Sequence, residues 1–81
     1  MNDKEAEFYL CQYTSDRKSK KHKDWEDGVL IHRKRKARIE TQEGDRVYET
    51  FKPRNLEFKC IDVEQFLGKY IVIINKEITQ D

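Results

Sequence analysis

Cysteine and histidine are the residues of this 81-residue chain best suited to metal binding or nucleophilic chemistry. Cys11, His22, His32 and Cys60 make up a Cys₂His₂ set by number, but no two of them lie within four residues of each other. Zinc sites in small domains draw on closely spaced ligand pairs, so this spacing argues against a zinc site. A Cys–His nucleophile also needs an orienting third group and an oxyanion hole, and no motif supplies them.

Paired carboxylates and glycine-rich loops are two further common sources of catalysis. Glu26 and Asp27 are adjacent, so a regular strand would place them on opposite faces. The three glycines are isolated from one another, which excludes a phosphate-binding loop. We therefore expect no enzyme activity, no metal ion, no cofactor and no small-molecule substrate.

Short runs of β-branched and aromatic residues, separated by polar turns, predict strands. Residues 70–74 (Tyr-Ile-Val-Ile-Ile) are almost continuously β-branched, which predicts a strand covered on both faces. Residues 36–41 alternate, which predicts a half-buried strand with Ala37, Ile39 and Thr41 on one face and Lys36, Arg38 and Glu40 on the other. The 42–45 segment is a hairpin loop in which Gly44 is available for a positive φ. Further strands are predicted over residues 8–13, 29–31 and 46–51, with a weaker signal over 56–61.

Five to six short strands in a chain of this length predict an all-β fold, a small antiparallel β-barrel or sandwich. Residues 62–67 are compatible with one short helical turn, with Asp62 as its cap and Gly68 at its end. Residues 7–77 are predicted to form a single domain between polar tails at 1–6 and 78–81. The longest apolar run, residues 71–74, cannot cross a bilayer, so we expect no membrane association.

The two cysteines are far apart and follow no signal peptide. Free, largely buried thiols in a reducing compartment are therefore expected, with a structural disulfide as the minor alternative.

Basic residues are concentrated in one part of the chain. Residues 17–38 hold ten basic residues against three acidic ones, and the remainder of the chain carries a net charge of −6. Clustered cations attract phosphates, and the run at 33–38 also fits a nuclear-localisation signal. The alternative is that both clusters are solvated loops that add solubility. The candidate nucleic-acid contacts are Lys18, Lys20, Lys21, Lys23, Arg33, Lys34, Arg35, Lys36 and Arg38.

Large apolar residues exceed what so small a core can hide. Trp25 beside Asp27-Gly28 is open to two interpretations, a stacking platform or pocket wall, and the central core residue, which we favour. The candidate partner-binding residues are Trp25, Leu30, Phe51, Phe58 and Phe66.

Several of these features occur together in a known family. Tyr13-Thr14, a lysine-rich loop and the block Lys23-Asp24-Trp25-Glu26-Asp27-Gly28-Val29-Leu30 resemble the N-terminal domain shared by GRF-zinc-finger DNA helicases and their shorter fungal relatives. The resemblance covers about residues 7–77. Those fungal relatives act in recombination and telomere maintenance beside a FANCM-type helicase. The resemblance thus implies a nuclear DNA-repair or recombination protein.

Three functions remain open at this point. The first is a protein-interaction module that docks a FANCM-type helicase or another repair protein, by adding a strand to a sheet edge or by filling an apolar groove. The second is electrostatic binding of branched or single-stranded DNA through clusters 17–23 and 33–38. The third is a structural cap that stabilises a larger protein. We favour the first function, with a weak contribution from the second.

Overall fold

A computed structural model describes residues 6–15 and 24–78, which form one antiparallel sheet. The strand order across the sheet is β4-β3-β2-β1-β6-β5, and the sheet curls into a half-barrel. The all-β prediction is therefore confirmed. No helix that is both long and apolar enough to cross a membrane occurs in these residues. The strands are β1 (Ala6–Thr14), β2 (Glu26–Arg33), β3 (Lys36–Thr41), β4 (Arg46–Phe51), β5 (Glu64–Leu67) and β6 (Tyr70–Ile78).

Tight turns join most neighbouring strands. β2 and β3 are connected by Lys34 and Arg35 alone, and Lys34 has a φ of 57°. The predicted 42–45 loop joins β3 to β4, with Gly44 at a φ of 97°. Gly68, at a φ of 58°, begins the turn between β5 and β6. These three turns form the antiparallel hairpins β2–β3, β3–β4 and β5–β6. β1 pairs antiparallel with β2 and β6 and completes the sheet.

Two local predictions between β4 and β6 are wrong. Residues 56–61 form turns rather than a strand, and residues 62–67 hold no helical turn, because Glu64–Leu67 pairs with β6 as strand β5. Asp62 adopts a left-handed φ of 61°, which a helix cap does not. Its amide donates to the Ile74 carbonyl oxygen at 2.7 Å, so the chain is already bound to β6 before β5 begins.

The core fills the concave side of the half-barrel. The connection between β4 and β5, residues 52–63, covers this side and inserts Leu56, which is only 1% exposed. The Gln65 side chain holds the connection in place: its amide oxygen accepts from Glu57 N at 2.7 Å and its amide nitrogen donates to Glu57 O at 2.8 Å. The buried core consists of Tyr9, Cys11, Tyr13, Leu30, Ala37, Ile39, Leu56, Leu67, Val72 and Ile74.

Trp25 is half-buried and is not part of this core, so its prediction as the central core residue is wrong. The inward positions of β2 belong to Gly28 and Leu30. Trp25 lies before the strand begins and is out of phase with both of them.

Gly28 lies within β2, opposite Cys11 on β1 and Thr41 on β3. The ring of Tyr13 occupies the space that a side chain would need. A methyl group at Gly28 would lie 2.6 Å from the Glu40 carbonyl oxygen and 2.7 Å from Tyr13 Cε1. The Asp-Gly pair thus provides a packing site for an aromatic ring.

Candidate interaction surface on the outer face of the sheet

The convex face of the sheet carries apolar side chains on β1, β2 and β6 beside charged ones, Arg38 and Glu40, on β3. Ile31 and Ile71 are 8% and 3% exposed, yet neither belongs to the core cluster, because the pairing register directs both outward. Ile31 is paired with Phe8, and Phe8 with Ile78, so an apolar row crosses three strands. We define the outer apolar surface as Phe8, Leu10, Val29, Ile31, Ile71, Ile73 and Ile78.

Exposed aromatic residues lie at both margins of the outer apolar surface. Phe51 on β4 is 69% exposed, and Phe66 on β5, paired with Ile71, is 51% exposed. An antiparallel sheet with one buried face normally presents polar residues on the other. The continuous apolar run at residues 70–74 is explained by both faces of β6. Val72 and Ile74 lie in the core, and Ile71 and Ile73 face outward.

The five predicted partner-binding residues are not brought together in one site. Leu30 is fully buried in the core, so its prediction as a docking residue is wrong. Phe58 lies on the concave side, where its ring stacks on Tyr9 with a centroid distance of 4.9 Å. Trp25 is half-buried ahead of β2, and Phe51 and Phe66 are at opposite margins of the outer face.

Sequence reasoning missed Phe8, Leu10, Val29 and Ile31 as surface candidates. The signal was present, because β1 and β2 carry apolar residues at both odd and even positions. A strand with one solvated face would alternate instead.

The basic run at 33–38 surrounds a pocket of about 430 Å³ at the β2–β3 turn, here called the hairpin pocket. Ile31 and Phe51 supply its apolar walls. Because Arg33 pairs with Lys36 and Lys36 with Phe51, the pocket continues directly from the outer apolar surface. Its lining consists of Ile31, Arg33, Lys34, Arg35, Lys36, Arg38, Glu49 and Phe51.

The cations of the hairpin pocket are not equivalent. Arg38 is half-buried, lies 3.1 Å from a Glu40 carboxylate oxygen, and is 4.0 Å from Glu49. Lys36 Nζ lies 5.8 Å from the centroid of the Phe51 ring, a cation–π distance. By contrast, Arg33, Lys34 and Arg35 are exposed and make no ion pair within the described residues.

Lys18, Lys20, Lys21 and Lys23 lie outside the described residues. Their predicted union with the 33–38 run into one basic patch therefore stays a prediction.

The opposite end of β2 is acidic. A second cavity, of about 400 Å³, is lined there by Asp24 and Glu26 together with Tyr13, Val47 and Tyr70. β2 thus connects an acidic end, at Asp24 and Glu26, to a basic end at the β2–β3 turn.

A polar cluster flanks the core at the start of β1. The Tyr9 hydroxyl donates to Glu7 Oε1 at 3.1 Å, and His32 Nδ1 lies 3.0 Å from the same oxygen. The hydrogen bond to His32 is the main cause that lowers the pKa of Glu7. The His32 ring also stacks on Phe58, with centroids 4.5 Å apart, so this cluster fixes β1, β2 and the connection together.

The two cysteines are free and differ in environment. Cys11 is buried, and burial raises the pKa of its thiol to about 12. Cys60 is exposed, so the prediction of largely buried thiols is wrong for this residue. In the described part of the chain, no three His, Cys, Asp or Glu side chains are grouped so that they could hold a metal ion.

The fold is that of a small, single-sheet β-domain in which a tryptophan-containing segment leads into the second strand. A family model described as DNA helicase ZGRF1-like, N-terminal domain, matches residues 6–81. The chain belongs to this family, and the resemblance predicted from its sequence is confirmed. No curated protein and no solved structure matches the chain significantly.

Proposed function

We propose that this domain is a protein-interaction module of a nuclear DNA-repair or recombination factor, and that it docks a partner helicase. The observation that carries the proposal is the outer apolar surface. A domain of this size needs its apolar residues in one core, and a second apolar face on the same sheet is typical of a surface that binds another protein. Membership of a ZGRF1-like DNA helicase family supports a setting in DNA metabolism. Recombination and telomere maintenance are part of the proposal and come from the resemblance to the fungal relatives.

The sheet geometry favours docking on a face. Gln65 binds Glu57 of the 52–63 connection beside β5, so this connection already flanks that edge strand. The outer apolar surface spans β2, β1 and β6 and is flanked by exposed aromatic residues, which are common anchors in protein interfaces. Binding in this mode buries apolar area and depends little on salt concentration.

The test is a titration of the ¹⁵N-labelled domain with fragments of a FANCM-type helicase. We expect amide shifts on β1, β2 and β6, and affinity that persists at high salt. Leu10→Lys and Ile73→Lys introduce a charge into the outer apolar surface and should weaken binding at least about tenfold. The matched control is Ile61→Lys, because Ile61 is 43% exposed and lies in the connection outside that surface.

Unchanged binding by both outer-surface variants, with amide shifts elsewhere, would refute docking on this face. Circular dichroism of each variant separates lost binding from lost folding.

Electrostatic binding of branched or single-stranded DNA is the second candidate, supported by the exposed cations at the β2–β3 turn. If about five phosphates are neutralised, affinity should fall as roughly the fourth to fifth power of salt concentration. Replacing Lys18, Lys20, Lys21 and Lys23 together by Glu should abolish such binding. DNA affinity that is unaltered by this replacement excludes the second candidate.

A further inference from the structure

Within the described residues, the hairpin pocket holds more positive charge than ion pairs neutralise. Arg38 is matched by Glu40, and Glu49 lies 3.1 Å from Arg46, so these groups balance one another. Arg33, Lys34 and Arg35 have no such partner in the described residues. Like charges this close repel one another and are stabilised by an anionic ligand.

The backbone at Lys34 points to a use for this side chain. A two-residue hairpin turn that begins at positive φ strongly favours glycine or asparagine. Lys34 occupies this position at a φ of 57°, a left-handed backbone conformation that is strained for a residue with a side chain. Lys34 stands between Arg33 and Arg35 in the turn, and all three line the hairpin pocket, where cationic side chains can bind carboxylates.

The hairpin pocket also has apolar walls, which would contact an apolar group of the ligand next to its anionic groups. Ile31 is aliphatic, and Phe51 is 69% exposed with Lys36 over its ring. Grooves that bind single-stranded nucleic acid instead present successive aromatic rings on which bases stack. One aliphatic and one aromatic wall, beside a surplus of cations, fit a single apolar side chain flanked by acidic residues.

We propose that the hairpin pocket binds an acidic peptide segment with one apolar anchor residue. The anchor packs between Ile31 and Phe51, and the carboxylates of the segment bind Arg33, Lys34 and Arg35. This inference rests on the proposed function, because the pocket continues the outer apolar surface and extends the same interface. It specifies the chemistry of the partner: an acidic segment, not a phosphodiester backbone.

The test uses the whole 81-residue chain and fluorescently labelled synthetic peptides of about ten residues. One peptide carries a single Phe among Asp and Glu residues; a second has these acids replaced by Asn and Gln, and a third has Phe replaced by Ser. We expect binding of the first peptide, and losses of at least about tenfold for each of the others, measured by fluorescence anisotropy. An oligothymidine of similar charge is measured in parallel.

Variants of the domain locate the site. Arg35→Glu and Phe51→Ala change exposed side chains and should leave folding intact, yet each should weaken the acidic peptide at least about tenfold. Arg54→Glu is the matched control, since Arg54 is exposed and lies outside the pocket lining. Equal losses for Arg54→Glu and Arg35→Glu would mean non-specific charge attraction, which overturns the inference.

Two other results also overturn it. One is oligothymidine binding that is tighter than peptide binding and sensitive to Arg35→Glu, which identifies a nucleic-acid site. The other is helicase-fragment binding that responds to Leu10→Lys and is unaffected by Arg35→Glu and Phe51→Ala. In that case docking on the outer apolar surface stands and the acidic-segment assignment fails.

Discussion

Replacing Gly28 by alanine tests whether the Asp-Gly pair is present for packing. The added methyl group would lie 2.6 Å from the Glu40 carbonyl oxygen and 2.7 Å from Tyr13 Cε1. Carbon atoms normally approach other heavy atoms to about 3.5 Å, so both contacts are shorter than this by nearly 1 Å. Tyr13 is a buried ring and Glu40 O belongs to strand backbone, so neither can move away easily.

The magnitude follows from two opposing effects. Overpacking of this kind destabilises by about 1–3 kcal/mol. Alanine has less chain entropy than glycine in the unfolded state, which returns about 0.5–1 kcal/mol. The net loss should be about 1 kcal/mol, or a melting temperature lower by roughly 5 °C for a domain of this size.

Urea denaturation followed by tryptophan fluorescence measures this loss. Tyr13→Leu combined with Gly28→Ala should recover part of it, since the ring contact is removed while the Glu40 contact remains. Gly44→Ala is the control: Gly44 has a φ of 97° and nothing within 4 Å, so its cost is conformational and independent of Tyr13. A Gly28→Ala protein as stable as the parent, or no coupling to Tyr13, would refute the packing account.

Three further outcomes are expected. Leu56→Ala should lower the free energy of unfolding by about 2–4 kcal/mol in a denaturant titration, because it leaves a cavity under the 52–63 connection; a loss below about 1 kcal/mol would show that the connection does not seal the core. Ellman's reagent should titrate Cys60 in the folded protein and Cys11 only after unfolding; rapid native reaction of both thiols contradicts the assigned burial. Since the folded-state pKa of Glu7 is lowered, its stabilising effect is present above the ordinary carboxyl pKa and is lost as pH falls through the lowered value. Unfolding midpoints between about pH 6 and about pH 3 should therefore depend less on pH in Glu7→Gln, and an unchanged profile would contradict this.

Local patterns were sufficient to predict most of the sheet. The alternation of side chains in residues 36–41 predicted that Ala37 and Ile39 share one face, and both are buried. The loop containing Gly44 was correctly predicted to close a hairpin. The prediction of a helical turn over residues 62–67 was wrong, because Asp62 and Gly68 resemble helix caps when only the local sequence is considered. Pairing of Glu64–Leu67 with β6 is a long-range interaction that the local residues do not encode.

The sequence predicted the cationic residues of the candidate site but not which apolar residues would be exposed there. The 33–38 run was identified from composition, and the structure gathers it around one pocket. Leu30 and Phe51 looked equivalent as apolar residues, yet one is fully buried and the other 69% exposed. That difference depends on strand phase and on which face the connection covers, and both are tertiary properties.

The pairing of β1 with β6 joins segments from opposite ends of the chain, since Phe8 lies opposite Ile78. This contact closes the largest loop in the domain, so its entropic cost must be met before the central strand gains its second neighbour. Folding rates of such non-local topologies fall in the millisecond-to-second range. During translation, β1 therefore lacks its second neighbour until β6 has left the ribosome.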